Sequence, residues 1–514
     1  MKKPAVALGV IAVLGGVFTG ATWYSGKMAE QQFHAKINQI NKKLEHFFNV
    51  PNVESTGTVK IDNVKFQRGF FSSDISYELV FSSKESENIN TLPFNGKLYH
   101  GPLPINQLSQ FNFTPVMFST ETEVTKTEKN KDWFGKNGKS PLYFNFSVDY
   151  NKQVLGNLNS EVNTHIDGGD IDWKITANYD IDENGFGKVD IASPYVKLVF
   201  PNMEQTSQNE EKNDIQSMFF EFTDSQTSLN WNRASAELDK IIVGNYSTKL
   251  GNMRFSAKGN DNDILLEIKD SQSDINGKIK DNFVDYDLTY KHGGIRFTSN
   301  GQENFFINDS IFNIQFNHLA ANPLNIILTE TAKAAESGKT QDAPPEEVFQ
   351  AFIELSKKQP QVKIAPFTLS NKGGKLSADL NVEFAPGDLQ AKIRAGKVLE
   401  MFKQFALNID LDNAAILDFL TQIKRLDADA IKEAPEKDAE KTLHEYLSLA
   451  ENTPLFVVDD KSIKLNAKLE NNKINLNGNM LSWEEFVMML AMVPNSIPDE
   501  TLEESETPEI PETK

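Results

Sequence analysis

Cysteine is absent from all 514 residues, which excludes disulfides, thiolate nucleophiles, iron–sulfur clusters and cysteine-ligated zinc. Positive charge is in short supply: 52 Lys plus Arg stand against 72 Asp plus Glu, for a formal net charge of -20. So acidic a chain lacks the broad cationic face that holds phosphate backbones, and no nucleic-acid partner is expected. Trp is scarce at 5 residues against 36 Phe, so Phe supplies most of the aromatic filling of the cores. At this length about three folding units are expected.

Motifs that would carry chemistry are missing too. His34, His46, His100, His165, His292, His318 and His444 show no HxH or HExxH spacing for two imidazoles on one metal, and no GxSxG elbow occurs. Asp180, Asp182, Asn184 and Gly185 match the first half of an EF-hand loop, but position 12 holds Ile191 where a bidentate carboxylate is needed, so a plain hairpin turn is expected. Gly138-Lys139-Ser140 lacks the first glycine of a phosphate loop, whose place Trp133 takes, and Pro141 then leads into a strand. His100, in a loop shaped by Gly101, Pro102 and Pro104, reads first as the rigid end of a strand. The chain is therefore expected to be non-enzymatic, with no cofactor and no metal.

One long apolar run is present. Pro4 to Tyr24 carries no charge and includes Pro4, Leu8, Ile11, Leu14, Phe18, Trp23 and Tyr24, about the 20 residues an α-helix needs to span hydrocarbon. It exceeds the apolar core of a signal peptide and closes on an interfacial Trp-Tyr pair, so it reads as an uncleaved transmembrane anchor, although Thr19-Gly20-Ala21 leaves cleavage open. Lys2 and Lys3 favour a cytoplasmic N-terminus and export of the bulk, a vote that Lys27, Lys36, Lys42 and Lys43 weaken. Behind the anchor, Phe33, Ile37, Ile40, Leu44 and Phe47 form an a/d stripe that ends before Pro51. Docking on the chain's own sheet and a homodimer seam both use that stripe.

From there the period is two. Leu142, Phe144, Phe146, Val148 and Tyr150 alternate with polar residues, as do Ile171, Trp173, Ile175, Ala177, Tyr179 and Ile181. Gly168-Gly169, Asn184-Gly185, Asn276-Gly277, Gly293-Gly294 and Asn300-Gly301 read as hairpin turns. After His318 helices and hairpins mix, closing with a hairpin about Asn471-Asn472 and a helix with a capping box at Ser482 and Glu485. The expected class is α+β, mostly antiparallel β: an N-terminal transmembrane helix, a long meandering sheet and a C-terminal block of helices and hairpins. Its parts are 1–27 (cytoplasmic tip and anchor), 28–50 (amphipathic helix), 51–317 (antiparallel β), 318–493 (α+β) and 494–514 (acidic disordered tail).

Five strings occur in order along nearly the whole chain: Trp23-Tyr24-Ser25-Gly26-Lys27, Arg68-Gly69-Phe70-Phe71-Ser72-Ser73, His100-Gly101-Pro102-Leu103-Pro104, Ile364-Ala365-Pro366, and Ile474-Asn475-Leu476-Asn477-Gly478 through Glu485-Phe486. By these the chain resembles the YdgA-like family of Gram-negative inner-membrane-anchored proteins. The resemblance implies an envelope location, single-pass in the inner membrane with the bulk periplasmic, and a homodimer as one arrangement; it supplies no catalytic residues. Two functions remain: a non-enzymatic scaffold or binding module, and a carrier of lipid or acyl chains along an apolar β trough, a layout similar to AsmA-like envelope proteins. An open apolar sheet face would favour the carrier, whereas a closed sandwich would have the same alternation.

Overall fold

The computed structural model describes residues 57–83, 89–135, 138–166, 168–201, 215–259, 263–337, 345–426 and 435–491, with single residues and short runs between 22 and 44. These N-terminal pieces are helical and are called α1. The first strands are β1 (Gly57–Arg68), β2 (Ser72–Ser83) and β3 (Ile89–His100), then a one-turn helix α2 (Ile105–Leu108), β4 (Phe118–Val124) and β5 (Leu142–Val148). A run of hairpins follows: β6 (Val154–Ile166), β7 (Gly169–Ile181), β8 (Gly187–Phe200), β9 (Ile215–Arg233), β10 (Ile242–Gly259), β11 (Asp263–Lys280), β12 (Phe283–His292), β13 (Gly294–Ser299), β14 (Gln302–Ile307) and β15 (Ser310–Ala320). The C-terminal part comprises α3 (Ala321–Ser337), α4 (Glu346–Ser356), β16 (Gln361–Ser370), β17 (Lys375–Phe384), α5 (Leu389–Arg394), β18 (Phe402–Asp412), α6 (Asn413–Leu426), α7 (Pro435–Glu451), β19 (Val457–Val458), β20 (Ser462–Glu470), β21 (Lys473–Leu476), β22 (Asn479–Leu481) and α8 (Trp483–Ala491).

Among the described residues all 22 strands join one sheet, and every pairing is antiparallel. The sheet does not stop at residue 317, because β15 pairs with β16 and the meander runs on through β17 and β18 to β20. The α+β, mostly antiparallel class thus describes the molecule. Among the described residues no helix is long and apolar enough to cross a membrane. The anchor residues Pro4, Leu8, Ile11, Leu14, Phe18, Trp23 and Tyr24 lie outside the described residues, as does the tail 494–514.

Two turns expected from the sequence are not turns: at Gly293-Gly294 the chain runs straight on from β12 to β13, both antiparallel to β11, with Gly293 N donating to the Lys269 carbonyl at 2.8 Å. Asn276-Gly277 lies inside β11, facing Asn245 and Gly244 of β10. The hairpin instead turns at Asp281 and Asn282, with φ of 50° and 64°. Gly277 is needed for room: a Cβ there would lie 2.8 Å from the ring of Tyr286, which crosses it and donates its hydroxyl to the Ile242 carbonyl at 2.9 Å.

Among the described residues three clusters of buried side chains form against the sheet; outside them Trp133 lies on Trp173 of β7 with ring centroids 5.9 Å apart, and Gln422 of α6 accepts from Phe306 N of β14 at 2.7 Å. Ala29, Phe33 and Ile37 of α1 are buried with Ile75, Tyr77, Phe94, Leu98 and Phe118. Leu319, Ala321 and Leu355 of the β15–α3–α4 segment cover Val284 and Ile241. Phe486 of α8 covers Leu465, Ala467, Ile474 and Leu476, and its start is capped as the sequence indicates, with Ser482 N donating to Glu485 Oε2 at 2.7 Å and Glu485 N to Ser482 Oγ at 3.2 Å.

Candidate functional site: an uncovered apolar sheet face

Residues directly opposite one another in neighbouring strands share a face. One such row runs from Ile75 in β2 through Gly96, Thr122, Phe144, Leu158, Ala177, Ile191, Thr227, Thr248, Ser273, Tyr290, Phe312, Phe367, Ala378 and Ile409 to Leu465 in β20. Ile75 belongs to the core under α1 and Leu465 to the core under α8. These two covering elements therefore lie on the same face. So do α3 and α4, because Val284 sits opposite Ile279, which shares the parity of Ser273 in β11.

Between these covers the same face carries two apolar rows across β6–β11, β13 and β14. The first is Val162, Trp173, Val196, Phe222, Met253, Ile268, Ile295 and Ile307; the second is Thr164, Ile171, Leu198, Phe220, Phe255, Leu266, Phe297 and Phe305. The opposite face, one residue over, reads Asp172, Lys197, Glu221, Arg254, Glu267 and Arg296. That is a ladder of alternating charge, in which Glu267 lies 3.8 Å from Arg254 and 3.6 Å from Arg296. Water thus solvates one side, while the other is built to be covered.

A line of extra residues keeps this face apolar. The register skips between Lys174 and Thr176 where β8 carries Ser193 and Pro194, and again at Asp224 in β9 and at Gly251 and Asp270, where β10 meets β11. Asp224 and Asp270 adopt left-handed φ of 53° and 49°. Each bulge flips the parity of its strand. In β9 the face is Leu229 and Thr227 before the bulge and Phe222 and Phe220 beyond it; in β11 it is Ile275 and Ser273, then Ile268 and Leu266. Without the extra residue the apolar half of each strand would swing to the charged side. Aligned bulges also raise local twist and bend so wide a sheet.

None of the three buried clusters reaches the centre of this surface. Val162, Val196 and Ile307 of the first row are buried, the first where Trp133 lies over Trp173; most of the other apolar side chains are half-buried, flanked by neighbours in their own layer, and Ile191 and Ile275 are each 38% exposed, Tyr290 and Phe367 each 40%. Small hydroxyls interrupt the surface at the bulge line, where Thr227 and Thr248 hydrogen-bond to each other at 2.9 Å. Tyr179 closes it toward β5, donating its hydroxyl to the Asn145 carbonyl at 3.2 Å, and burial pushes the phenol up to about 12.

The other residues singled out in the sequence have structural employment. His100 is 1% exposed; its Nε2 pairs with Ser73 Oγ at 2.7 Å and its Nδ1 with the Phe70 carbonyl at 2.9 Å. A Ser–His contact alone makes a nucleophile only where substrate can reach it, and Ser73 is equally buried with Gly26 of α1 laid on the imidazole. Asp182 accepts from the amides of Asn184 and Phe186 at 2.8 and 3.0 Å, a closed hairpin turn. Among the described residues no group of His, Asp and Glu is placed to hold a metal. Of the α1 stripe, Phe33 and Ile37 are buried on the sheet, Leu44 is half-buried and Ile40 is 41% exposed, while Phe47 lies outside the described residues. Asn41 spans the edge strand, its Oδ1 accepting from Ile61 N at 2.7 Å and its Nδ2 donating to Ile61 O at 2.8 Å.

Residues 1–484 match the model of a family described as bacterial protein of unknown function, DUF945. The chain belongs to the DUF945 family. Within it, Protein YdgA of Escherichia coli K12 is 25% identical over 97% of this chain and 98% of its own length. Uncharacterized protein YihF of the same organism is 24% identical over 94% of this chain and 97% of its own. An uncharacterized protein of Haemophilus influenzae is 26% identical over 64% of this chain and 85% of its own. The resemblance to the YdgA-like family carried by the five short strings thus extends over most of the molecule. No solved structure matches the chain.

Proposed function

We propose that this DUF945 protein is a non-enzymatic envelope component, held in the inner membrane by its N-terminal segment with the bulk in the periplasm, and that its uncovered sheet face holds acyl chains of lipids. The observation that carries the reading is the apolar face across β6–β11, backed by the charge ladder and left open between α1, α3–α4 and α8. At about 4.8 Å per strand, β6 to β11 span roughly 25 Å, a scale close to the ~30 Å hydrocarbon thickness of a bilayer. Exposed apolar surface of this extent is unfavourable in water by roughly 25 cal/mol per Å², and a chain of methylenes satisfies it without any directional partner. A pure scaffold would need a protein to cover the same face.

The test is a detergent-free preparation of the full chain in membrane-derived particles, released into a lipid-free polymer and analysed by native mass spectrometry. Bound phospholipid or fatty acid is expected at defined stoichiometry, reduced several-fold by Phe222→Asp with Met253→Asp. A chain that carries no lipid and loses none on these substitutions would contradict the acyl-chain reading and favour the scaffold.

A further inference from the structure

Two neighbouring turns at one edge of the sheet are far more apolar than the turns beyond them, β5–β6 and β7–β8, which are joined by the Lys152–Glu183 ion pair at 2.8 Å. Pairings Arg68 with Ser73, Ser72 with Tyr99, His100 with Phe118, and Phe118 with Val148 place the β1–β2 turn and the β3–β4 loop side by side at that edge. The turn carries Phe70 and Phe71, 45% and 40% exposed, with ring centroids 4.9 Å apart. The loop carries Phe111 and Phe113, 84% and 64% exposed. In a chain of net charge -20, no Asp, Glu, Lys or Arg occurs between Lys97 and Glu121. Aromatic tips on an uncharged loop suit the boundary between headgroups and hydrocarbon, where a ring is favoured and a carboxylate is not.

The course of α1 says which surface meets this edge. Asn41 lies on Ile61 in the body of β1, Glu30 pairs with Arg68 at its end at 3.6 Å, and Gly26 lies against His100, the last residue before the aromatic loop. Followed toward its N-terminus, the described part of α1 therefore reaches this edge at Gly26, beside the turns that carry Phe70, Phe71, Phe111 and Phe113, and in sequence the uncharged run 4–24 lies just before it. We infer that these aromatic turns seat on the lipid bilayer into which the N-terminal run passes, so that the sheet meets the membrane by its β1–β4 corner, with the charged β5–β6 and β7–β8 turns of the same edge held off it in water. The inference rests on the proposed membrane anchor and adds to it a second, independent lipid contact made by the folded part.

The absence of cysteine makes the test clean. Single variants Phe113→Cys, Leu14→Cys and, at the opposite edge, Glu128→Cys are spin-labelled in the full chain, reconstituted in phosphatidylcholine vesicles, and compared for collision with oxygen, which concentrates in lipid, and with a water-soluble nickel chelate. The label at 113 is expected to collide with oxygen and be protected from nickel, and the label at 128 to show the reverse. An aqueous pattern at 113 with a lipid pattern at 14 would overturn the inference and leave the anchor standing. Protection of 113 from both reagents would overturn it in favour of a protein surface, including a second copy. A lipid pattern at 113 with an aqueous one at 14 would uphold the seat and remove the anchor.

Discussion

At the scale of the residue, small spaces and buried rings decide what α1 and the sheet can do. A Cβ on Gly26 would lie 2.5 Å from the His100 imidazole, which two hydrogen bonds hold in place. Gly26→Ala should therefore loosen α1 at a cost of about 1–3 kcal/mol, typical of overpacking, seen as faster proteolysis within residues 26–44; unchanged cleavage would show that the helix is not seated on His100. Burial also holds His100 below the ordinary imidazole range, with Arg68 pushing the same way and the Phe70 carbonyl opposing; burial lowers His292, with Asp309 opposing. The unfolded chain then binds more protons than the folded one just below the ordinary value of about 6.5, so the stability these rings contribute is complete above that pH and lost as it falls. Relief of the net negative charge acts in the opposite sense in every variant. The comparison that isolates the ring is the change in melting temperature from pH 7.5 to 5.5 in the parent and in His292→Asn, whose loss should be smaller; equal losses would remove His292 as a contributor.

At the scale of the element, most helices and hairpins were legible and the breaks inside strands were not. The helix Asn413–Leu426, the Asn471-Asn472 hairpin and the Ser482/Glu485 cap all have local causes, so short-range pattern was enough to find them. Asn276-Gly277 misled because its glycine serves the Tyr286 ring on a neighbouring strand, a contact invisible in one dimension. The bulges were hidden in a subtler way: each appears in sequence only as a change in phase of the alternation, as between Ser273 and Ile268, which reads as noise until partner strands show the same break. The α1 stripe left docking and dimerisation open, and burial now separates its members. Ile37→Asp puts an unpaired charge into the core under α1 and should cost several kcal/mol of local stability, whereas Ile40→Asp should change it by no more than about 0.5 kcal/mol. Amide exchange in α1 checks both; equal protection in the two variants would mean that the helix is held elsewhere. Phe486→Asp should likewise free α8 at a cost of several kcal/mol, read as loss of amide protection in residues 483–491.

At the scale of the molecule, the composition excluded many partners and named none, because the property that suggests function is an arrangement of rows across strands distant in sequence. Val162 and Ile307 lie at the two ends of one apolar row, although 145 positions separate them (307 minus 162). Alternation along Ile171 to Ile181 was readable at once, and it fits a sandwich and an open face equally well. What the pairing adds is that α1, α3–α4 and α8 all cover one side and leave its centre without a helix. The central claim is therefore about place: lipid should lie on that side and not on the charged one. It is tested most directly by loading the full chain with a phospholipid bearing a photoreactive group in its acyl chain and mapping the adducts by peptide mass spectrometry. The account predicts adducts at Phe222, Met253, Ile268 and their row, and none on Glu221, Arg254 or Glu267 one residue away. Adducts spread evenly over both faces, or found on the charge ladder alone, would contradict it.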